Sequence, residues 1–539
     1  MFTQEVDHSA AAETEMSIST RHDGETWKSS LPWWIATASL FVFYFIRSLG
    51  DLVHPDVGWF LWASGRVLDG AHLYRDIVDM NPPLIFYFMI PPVWCARITG
   101  LPEVMVFKSF ILLTAFASLW ICARFVRTLF QSSSVHIQHF VVFVIAFLFI
   151  SIPGGNYGFL GPSFGQREHI MGMLFMPFVL ASVSKVLGKP PGTVLTVIVA
   201  ILAGVALAIK PYFLIGWLAL EAALVIRSHR VATVVRLESL IVTIVILLYA
   251  ISVLIFAPGY LDVVRKAALV YGAYDASWWD LVTHRHFVLW MVAMLIFVFS
   301  FGVKEHDLER RALFFSGTGF LVSVFAQRKG WGYHYYPSAL FTGTYLGIMV
   351  AISMERLALG RLPRFLTLNR IVAFTTVALL GAASKPMFDS FSENQNGPIE
   401  DLINIAKTHA DHQPLMALST SNLPGFPVVN YSGALWSSRF VELWFLPGLY
   451  PQFLRSNHSR YRPRNEMGET ERYFFDAVVE DFEKAKPRLL IDDVGTNRLG
   501  FGRTDFDFLS YYSQDSSFAR LFSAYKPVAN VGQYVVYVR

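Results

Sequence analysis

Apolar and polar positions fall in long blocks along this chain, not in the short periods of a soluble fold. Residues 1–30 are polar, with Glu5, Asp7, Glu13, Glu15, Asp23 and Glu25 among them, and read as a cytoplasmic tail. An apolar run follows at 31–49. Further runs cover about 103–124, 138–152, 169–187, 193–209, 211–227, 237–257, 286–303, 312–326, 337–354 and 371–385. Each lies near or above the roughly 17 residues a helix needs to cross the hydrocarbon core. The pattern predicts a polytopic α-helical membrane protein of about 11 transmembrane helices over 31–385. The run 82–99 is also apolar, but it carries Pro82, Pro83, Pro91 and Pro92. A proline pair removes two helix hydrogen bonds, and lipid offers no replacement. This run is therefore expected in the interface, as a broken juxtamembrane helix within a first outer loop, 50–102.

After Lys385 the blocks shorten. Residues 386–398 read as a linker ending in SENQNGP, and 399–539 as a small α/β domain. Its pattern predicts a helix at 399–410, strands at 414–419 and 426–430, a helix at 469–485, a buried strand at 489–493 and a last strand at 532–539. Asp492 and Asp493 read as turn residues at a strand end. No internal repeat is present.

Basic residues set the orientation. With 82–99 outside the count, Arg124/Arg127, Lys185/Lys189, Arg227/Arg230/Arg236, Lys304/Arg310/Arg311 and Arg356/Arg361/Arg364/Arg370 all fall on the cytoplasmic side. The N-terminus is then cytoplasmic and the C-terminal domain extracytoplasmic. The acidic start lacks the basic n-region of a signal peptide.

Composition agrees. Apolar residues make up 54% and charged residues 16%, with 47 Phe, 22 Tyr and 14 Trp, and mean hydropathy is +0.45. A net charge of +4 is too small to imply nucleic acid as a partner. Cys95 and Cys122 lie in apolar stretches and make neither a disulfide framework nor a CxxC site.

Polar side chains collect in the outward loops. Segment 51–81 holds Asp51, His54, Asp56, Arg66, Asp69, His72, Arg75, Asp76 and Asp79 among Trp, Phe and Leu. It reads as an amphipathic stretch on the outer membrane face. Loop 153–169 ends in Arg167, Glu168 and His169. Lys210-Pro211-Tyr212 marks a tight outward turn. Loop 258–285 carries Asp262, Arg265 and Lys266, and loop 327–337 carries Lys329, His334 and Tyr335. Carboxylates at this face can act as a general base, Arg and Lys can hold a phosphate, and aromatics can stack on a sugar. The set suits a lipid-linked phosphosugar. Elsewhere, Asp505-Phe506-Asp507 has no nucleotide-fold context. The basic run Arg455, His458, Arg460, Arg462, Arg464 reads first as a solvated loop.

The stretch Asp56-Val-Gly-Trp-Phe, Ala63, Arg66, Leu68-Asp-Gly70, Leu73-Tyr-Arg-Asp76 and Asn81-Pro-Pro-Leu-Ile-Phe-Tyr87 resembles the first outer loop of GT-C glycosyltransferases. The similar branch holds lipid A aminoarabinose transferase, protein O-mannosyltransferases and rhizobial lipid A galacturonosyltransferases. The resemblance implies a GT-C-like membrane domain, a polyprenyl-phosphate sugar donor, and a glycolipid (lipid A), polysaccharide or protein acceptor. It implies inverting transfer of a hexosyl or pentosyl unit at a bacterial inner membrane, with no cofactor and no obligatory metal. Asp56 matches the catalytic carboxylate and Glu168 falls near a second acidic position. Lys210 matches the lysine on the donor phosphate, with Arg167, Lys329 and Arg265 as further cationic candidates. His54, Arg66, Tyr74, Asp79, Asn81, His169, His334 and Tyr335 are the candidate substrate contacts. Asn81 stands where relatives often carry Lys, and Trp59-Phe60 replaces their Arg-Tyr. Two rivals stay open: a transporter or flippase of a lipid-linked glycan, and an envelope-binding protein. A polymerase or ligase would need a longer late loop than 327–337.

Overall fold

The structure is a computed structural model, and it describes residues 31–46, 48–150, 164–358, 397–450, 461–501 and 506–539. The tail 1–30, the run 371–385, most of the linker and the start of the basic run at 451–460 lie outside the described residues.

Within them, every predicted span coincides with a helix. These are α1 (Leu31–Ile46), α4 (Glu103–Leu129), α5 (Val135–Ile150), α6 (Arg167–Val186), α7 (Thr193–Ala208), α8 (Leu214–Ser228), α9 (Leu237–Phe256), α12 (Arg285–Phe299), α13 (Asp307–Gln327) and α14 (Tyr336–Ala358). Among the described residues, five helices are long and apolar enough to cross a membrane. The molecule is a membrane protein. Helix α6 is central: from Arg167 to Ser184 every side chain is buried, between α4, α7 and α14. By contrast, α9 packs on α7 and leaves Leu247, Leu248, Ile251, Leu254 and Phe256 exposed, as a lipid-facing helix does.

The segment read as the first outer loop is built on two helices, α2 (Pro55–Leu68) and α3 (Leu84–Thr99). The His54 side chain accepts from the Asp56 N–H, Pro55 occupies the first turn, and Asp56 sits at the positive end of the helix dipole. Val57, Trp59, Phe60, Leu61 and Ala63 are buried, so α2 is docked on the protein and does not lie free on the membrane face. Helix α3 runs unbroken through Pro91 and Pro92, and Gly100 closes it in the left-handed conformation. The expected break at 82–99 is absent. Packing against α2 and α4 holds the helix where two backbone bonds are missing.

The segment read as loop 258–285 is also helical. It forms α10 (Gly259–Val270), a 3-10 turn at Tyr271–Tyr274 and α11 (Trp278–Thr283). In α10, Val263, Ala267 and Val270 are buried on one face, and Arg265 lies on the other.

The C-terminal domain is a five-stranded sheet of order β2-β1-β3-β5-β4. Strands β1 (Pro414–Leu418), β2 (Leu435–Trp436) and β3 (Leu489–Asp493) are parallel. Strand β5 (Tyr534–Val538) runs antiparallel to β3 and to β4 (Lys526–Val531). Helices α15 (Gly397–His409) and α18 (Glu469–Ala485) cover it. Two expectations fail here. Residues 426–430 enter a short helix, α16 (Val428–Ser432), started at Pro427 and ended by left-handed Gly433. Asp492 and Asp493 are buried strand residues, not turn residues, with the Asp493 carboxylate held by the Ser419 hydroxyl at 2.7 Å.

The domain docks on the segment 51–81 through backbone and ring contacts. The Val78 N–H donates to the Arg439 carbonyl at 2.7 Å, extending a bridge between Val78 and Phe440. Asn430 donates to the Gly58 carbonyl at 3.0 Å, and the Val53 N–H to the Tyr431 hydroxyl at 3.1 Å. The Phe426 ring packs edge-on against Trp59 at 5.5 Å. A helical turn, α17 (Leu446–Leu449), lies against α10 so closely that a Cβ on Gly448 would fall 1.9 Å from the Val270 carbonyl oxygen. Gly448→Ala is therefore expected to push the domain off α10, at a cost on the order of 1–3 kcal/mol. Thermal unfolding of the detergent-solubilised chain should show a midpoint lowered by about one to three degrees.

Candidate active site

The docked face encloses a cavity of about 450 Å³. Asp56, Asp79, Asn81, Arg167, Lys210, Lys329, Asn422 and Glu442 supply its polar wall. Tyr212, Tyr260, Val264, Ala267, Ala268, Tyr271 and Trp444 supply much of its apolar wall. Few polar groups converging in a mostly apolar cleft is what a small-molecule site requires.

Asp56 sits in the first turn of α2 with its side chain 21% exposed. Its Oδ1 accepts from the Asn422 amide at 2.7 Å, and its Oδ2 from the Gln166 amide at 3.1 Å. The Arg167 guanidinium lies 3.9 Å from Oδ2, and His54 Nδ1 lies 3.8 Å away. Burial by itself would push this carboxyl up. The His54 and Arg167 neighbours and the two amide bonds outweigh it, so the group is held below the usual carboxylate range. His54 is itself lowered, chiefly by burial. Its Nδ1 is 3.2 Å from the Asp56 N–H and 2.8 Å from the Gln166 amide.

A second chain of bonds leads from Asp79. Its carboxylate accepts from the Trp59 indole at 2.5 Å and from the Asn81 backbone and side-chain amides at 2.6 and 2.7 Å. The Asn81 oxygen then accepts from Arg167. Burial pushes Asp79 up despite these donors. Asn81 thus orients an arginine.

The cations are held in different ways. Lys210 caps the turn before α8 and donates to Glu168 at 2.8 Å, with His334 Nε2 at 3.1 Å. Burial lowers Lys210 to about 8, with Glu168 opposing that shift. Lys329 donates to the Tyr271 carbonyl at 2.8 Å and to Asp275 at 2.6 Å. Buried polar atoms without a partner remain at Arg167 Nε, Gln166 Oε1 and His334 Nδ1. Orphaned polar atoms beside a cavity mark where a ligand or water completes the set.

The other candidates stand elsewhere. Glu168 is 1% exposed and does not line the cavity; it faces Lys210 and, at 3.7 Å, His334. Arg265 is 79% exposed and paired with Asp262 at 2.8 Å, and Arg66 is exposed on α2. His169 bonds the Phe149 carbonyl and the Gly165 N–H, at 2.6 and 3.0 Å. The Tyr335 hydroxyl donates to the Leu281 carbonyl at 2.9 Å. Tyr74 donates to the Asn81 carbonyl at 2.7 Å, fixing the loop that carries Asp79. Gln166, Asn422 and Glu442 escape the sequence reading. Asn422 has a local signal, since Ser-Asn-Leu-Pro-Gly (421–425) follows the carboxyl end of a buried strand, where α/β folds place ligand contacts. Among the described residues, no group of three or more His, Cys, Asp or Glu is placed to hold a metal ion.

Fold and site together define a class, a polytopic helical membrane protein with a C-terminal α/β domain over a loop-built cavity. Among solved structures the chain is similar to ArnT from Cupriavidus metallidurans bound to undecaprenyl phosphate. Identity is 12%, coverage is 95% of this chain and 98% of that one, and the TM-score is 0.53. The apo state of the same protein matches at 12% identity, 94% and 98% coverage and a TM-score of 0.53. The oligosaccharyltransferase AglB from Archaeoglobus fulgidus aligns at 11% identity over 94% of this chain and 74% of that chain, with a TM-score of 0.45. No protein-family model and no curated protein matches the sequence. At this identity the ArnT likeness establishes the fold, the one the resemblance in the first loop pointed to.

Asn422→Ala removes one of the two amides that bond the Asp56 carboxylate. A lowered carboxyl loses a stabilising donor and its pKa rises, so activity that needs ionised Asp56 should fail at higher pH than in the wild type. The acidic limb of a kcat/KM pH profile reads this shift directly.

Proposed function

We propose that the chain is a membrane glycosyltransferase that moves a sugar from a polyprenyl-phosphate donor to an envelope acceptor on the extracytoplasmic side of a bacterial inner membrane. The observation that carries the reading is that one cavity joins an ionised carboxylate, three cations and an apolar wall. The fold shared with ArnT, seen in complex with undecaprenyl phosphate, supports it.

In this reading the lipid tail lies along the apolar wall and the phosphate meets Lys210, Lys329 and Arg167. Asp56 accepts the proton of the acceptor hydroxyl. The freed oxygen pair forms the new bond to the anomeric carbon as the carbon–oxygen bond to phosphate breaks on the opposite face, inverting configuration. The electron pair of that bond leaves with the phosphate. The cations stabilise the charge that develops there, an interaction stronger in the transition state than in the ground state. Glu168 acts through Lys210 as a positioning residue. Arg265, exposed and paired with Asp262, has no part in this scheme.

Two outcomes are expected. Membranes containing the wild-type chain should transfer radiolabelled sugar from one member of a panel of undecaprenyl-phosphate sugars. Asp56→Asn should lower that rate by about 10²–10⁴-fold at equal expression, the range for losing a general base. Absence of transfer from every donor, with folded protein, would overturn the reading and favour a transporter. Separately, Lys210 has a lowered pKa, so the free enzyme loses this ammonium as pH rises through about 8. The kcat/KM for the lipid donor should therefore fall on the alkaline side of about pH 8, and Lys210→Arg should move that limb upward.

A further inference from the structure

The cavity contains a third carboxyl group. Glu442 stands in the segment after β2, two residues beyond Phe440, which is bridged to Val78. It comes from the C-terminal domain and lines the same wall as Asp56 and Asp79. The backbone N–H of Asn422, the residue whose side chain holds Asp56, acts on its carboxyl and favours the charged form. The loops after β1 and β2 thus bring Asn422 and Glu442 to the membrane-side site together. The Leu443 N–H ties the two loops, donating to the Ser419 carbonyl at 2.8 Å.

The groups around Glu442 decide its chemistry. The charges acting on it are those of Asp56, from α2, and Asp79, from the loop after it. Tyr271 and Tyr274, in the turn after α10, face it as neutral phenols, both raised chiefly by burial. Burial first, and then the two like charges, push the Glu442 carboxyl well above the usual carboxylate range. A neutral carboxylic acid offers one O–H donor and an acceptor oxygen. A carboxyl pushed toward its neutral form holds a cationic substituent weakly, and among the described residues no group of three or more His, Cys, Asp or Glu is placed to hold a metal ion. What it recognises is an uncharged polar group such as a hydroxyl.

We propose that Glu442 is a specificity-determining residue that hydrogen-bonds a ring hydroxyl of the sugar unit carried by the lipid-phosphate donor. The inference rests on the glycosyl-transfer reading and deepens it. The membrane-embedded part holds the phosphate, and the C-terminal domain reads the sugar. A donor whose hydroxyl matches satisfies Glu442, and one that lacks it leaves a buried donor unpaired, which costs affinity.

The test uses the full chain in nanodiscs with undecaprenyl-phosphate-linked glucose, galactose, mannose, arabinose and galacturonic acid, and the monodeoxy analogues of whichever donor the wild type uses. Glu442→Ala should lower kcat/KM for the parent donor by about tenfold or more. That loss should vanish with the single deoxy analogue lacking the recognised hydroxyl. Glu442→Gln, which keeps a donor and an acceptor without charge, should recover most of what Ala loses. Binding of sugar-free undecaprenyl phosphate should be equal in all three proteins. Equal losses in Ala and Gln, or a Glu442→Ala enzyme with wild-type donor selectivity, would overturn the proposal while transfer itself stands. Weakened binding of the sugar-free lipid would overturn it in favour of a structural role. A folded wild type that transfers from none of the donors would overturn the glycosyl-transfer reading, and this inference with it.

Discussion

Asp56 is placed where water is scarce and burial works against its charge, yet it is held as a carboxylate. An isolated buried carboxylate neutralises itself by taking up a proton. Here the helix N-terminus of α2, two amides and the nearby Arg167 supply what water would have supplied. These donors come from different parts of the chain. Gln166 precedes the central helix α6, Arg167 begins it, and Asn422 lies 366 residues from Asp56. Keeping one carboxylate ionised therefore requires the α2 segment, the helix bundle and the C-terminal domain to meet at one point.

That requirement accounts for how the domain docks. Its β1 and β2 loops face the cavity, at the carboxyl ends of parallel strands, the edge at which α/β sheets bind ligands. The contacts around this edge are of the kind that fix position. They include a main-chain bridge at Val78, the Asn430 bond to Gly58, and the approach of Gly448 to Val270. A rigid mount of this kind keeps a hydrogen bond to Asp56 within reach of its ideal geometry, where an error of an ångström would break it.

The cations obey a different constraint. Each carries its own counter-charge before any ligand arrives: Glu168 for Lys210, Asp275 for Lys329, Asp56 for Arg167. Buried charges survive only when paired, so a pocket lined by cations cannot hold bare ammonium groups in waiting. The orphaned atom at Arg167 Nε shows where this pairing is incomplete.

Much of this was legible in the sequence, for a physical reason. A bilayer requires each span to satisfy its backbone internally and to be apolar for its whole length, so the helices appear as blocks in a single chain. The helix 469–485 and strand 489–493 were legible because amphipathic and fully buried patterns are local. Asp56, Arg167, Lys210 and Lys329 stood out as charges at the ends of apolar runs, where charge is costly and therefore sparse. What the sequence could not separate was Arg167 from Arg66 or Arg265. All are basic residues in outer segments, and only packing decides that one faces the cavity while the others face out. Nor could it single out Glu442 and Asn422, which read as ordinary loop residues. Hydrophobic blocks are written residue by residue along the chain, so the sequence alone determined the helical class, the helices of the described spans and the presence of a C-terminal α/β fold. The environment of a charge depends on groups brought together from distant segments, so only the tertiary structure decided which carboxylate is ionised, which cations share its cavity, and which domain completes the site.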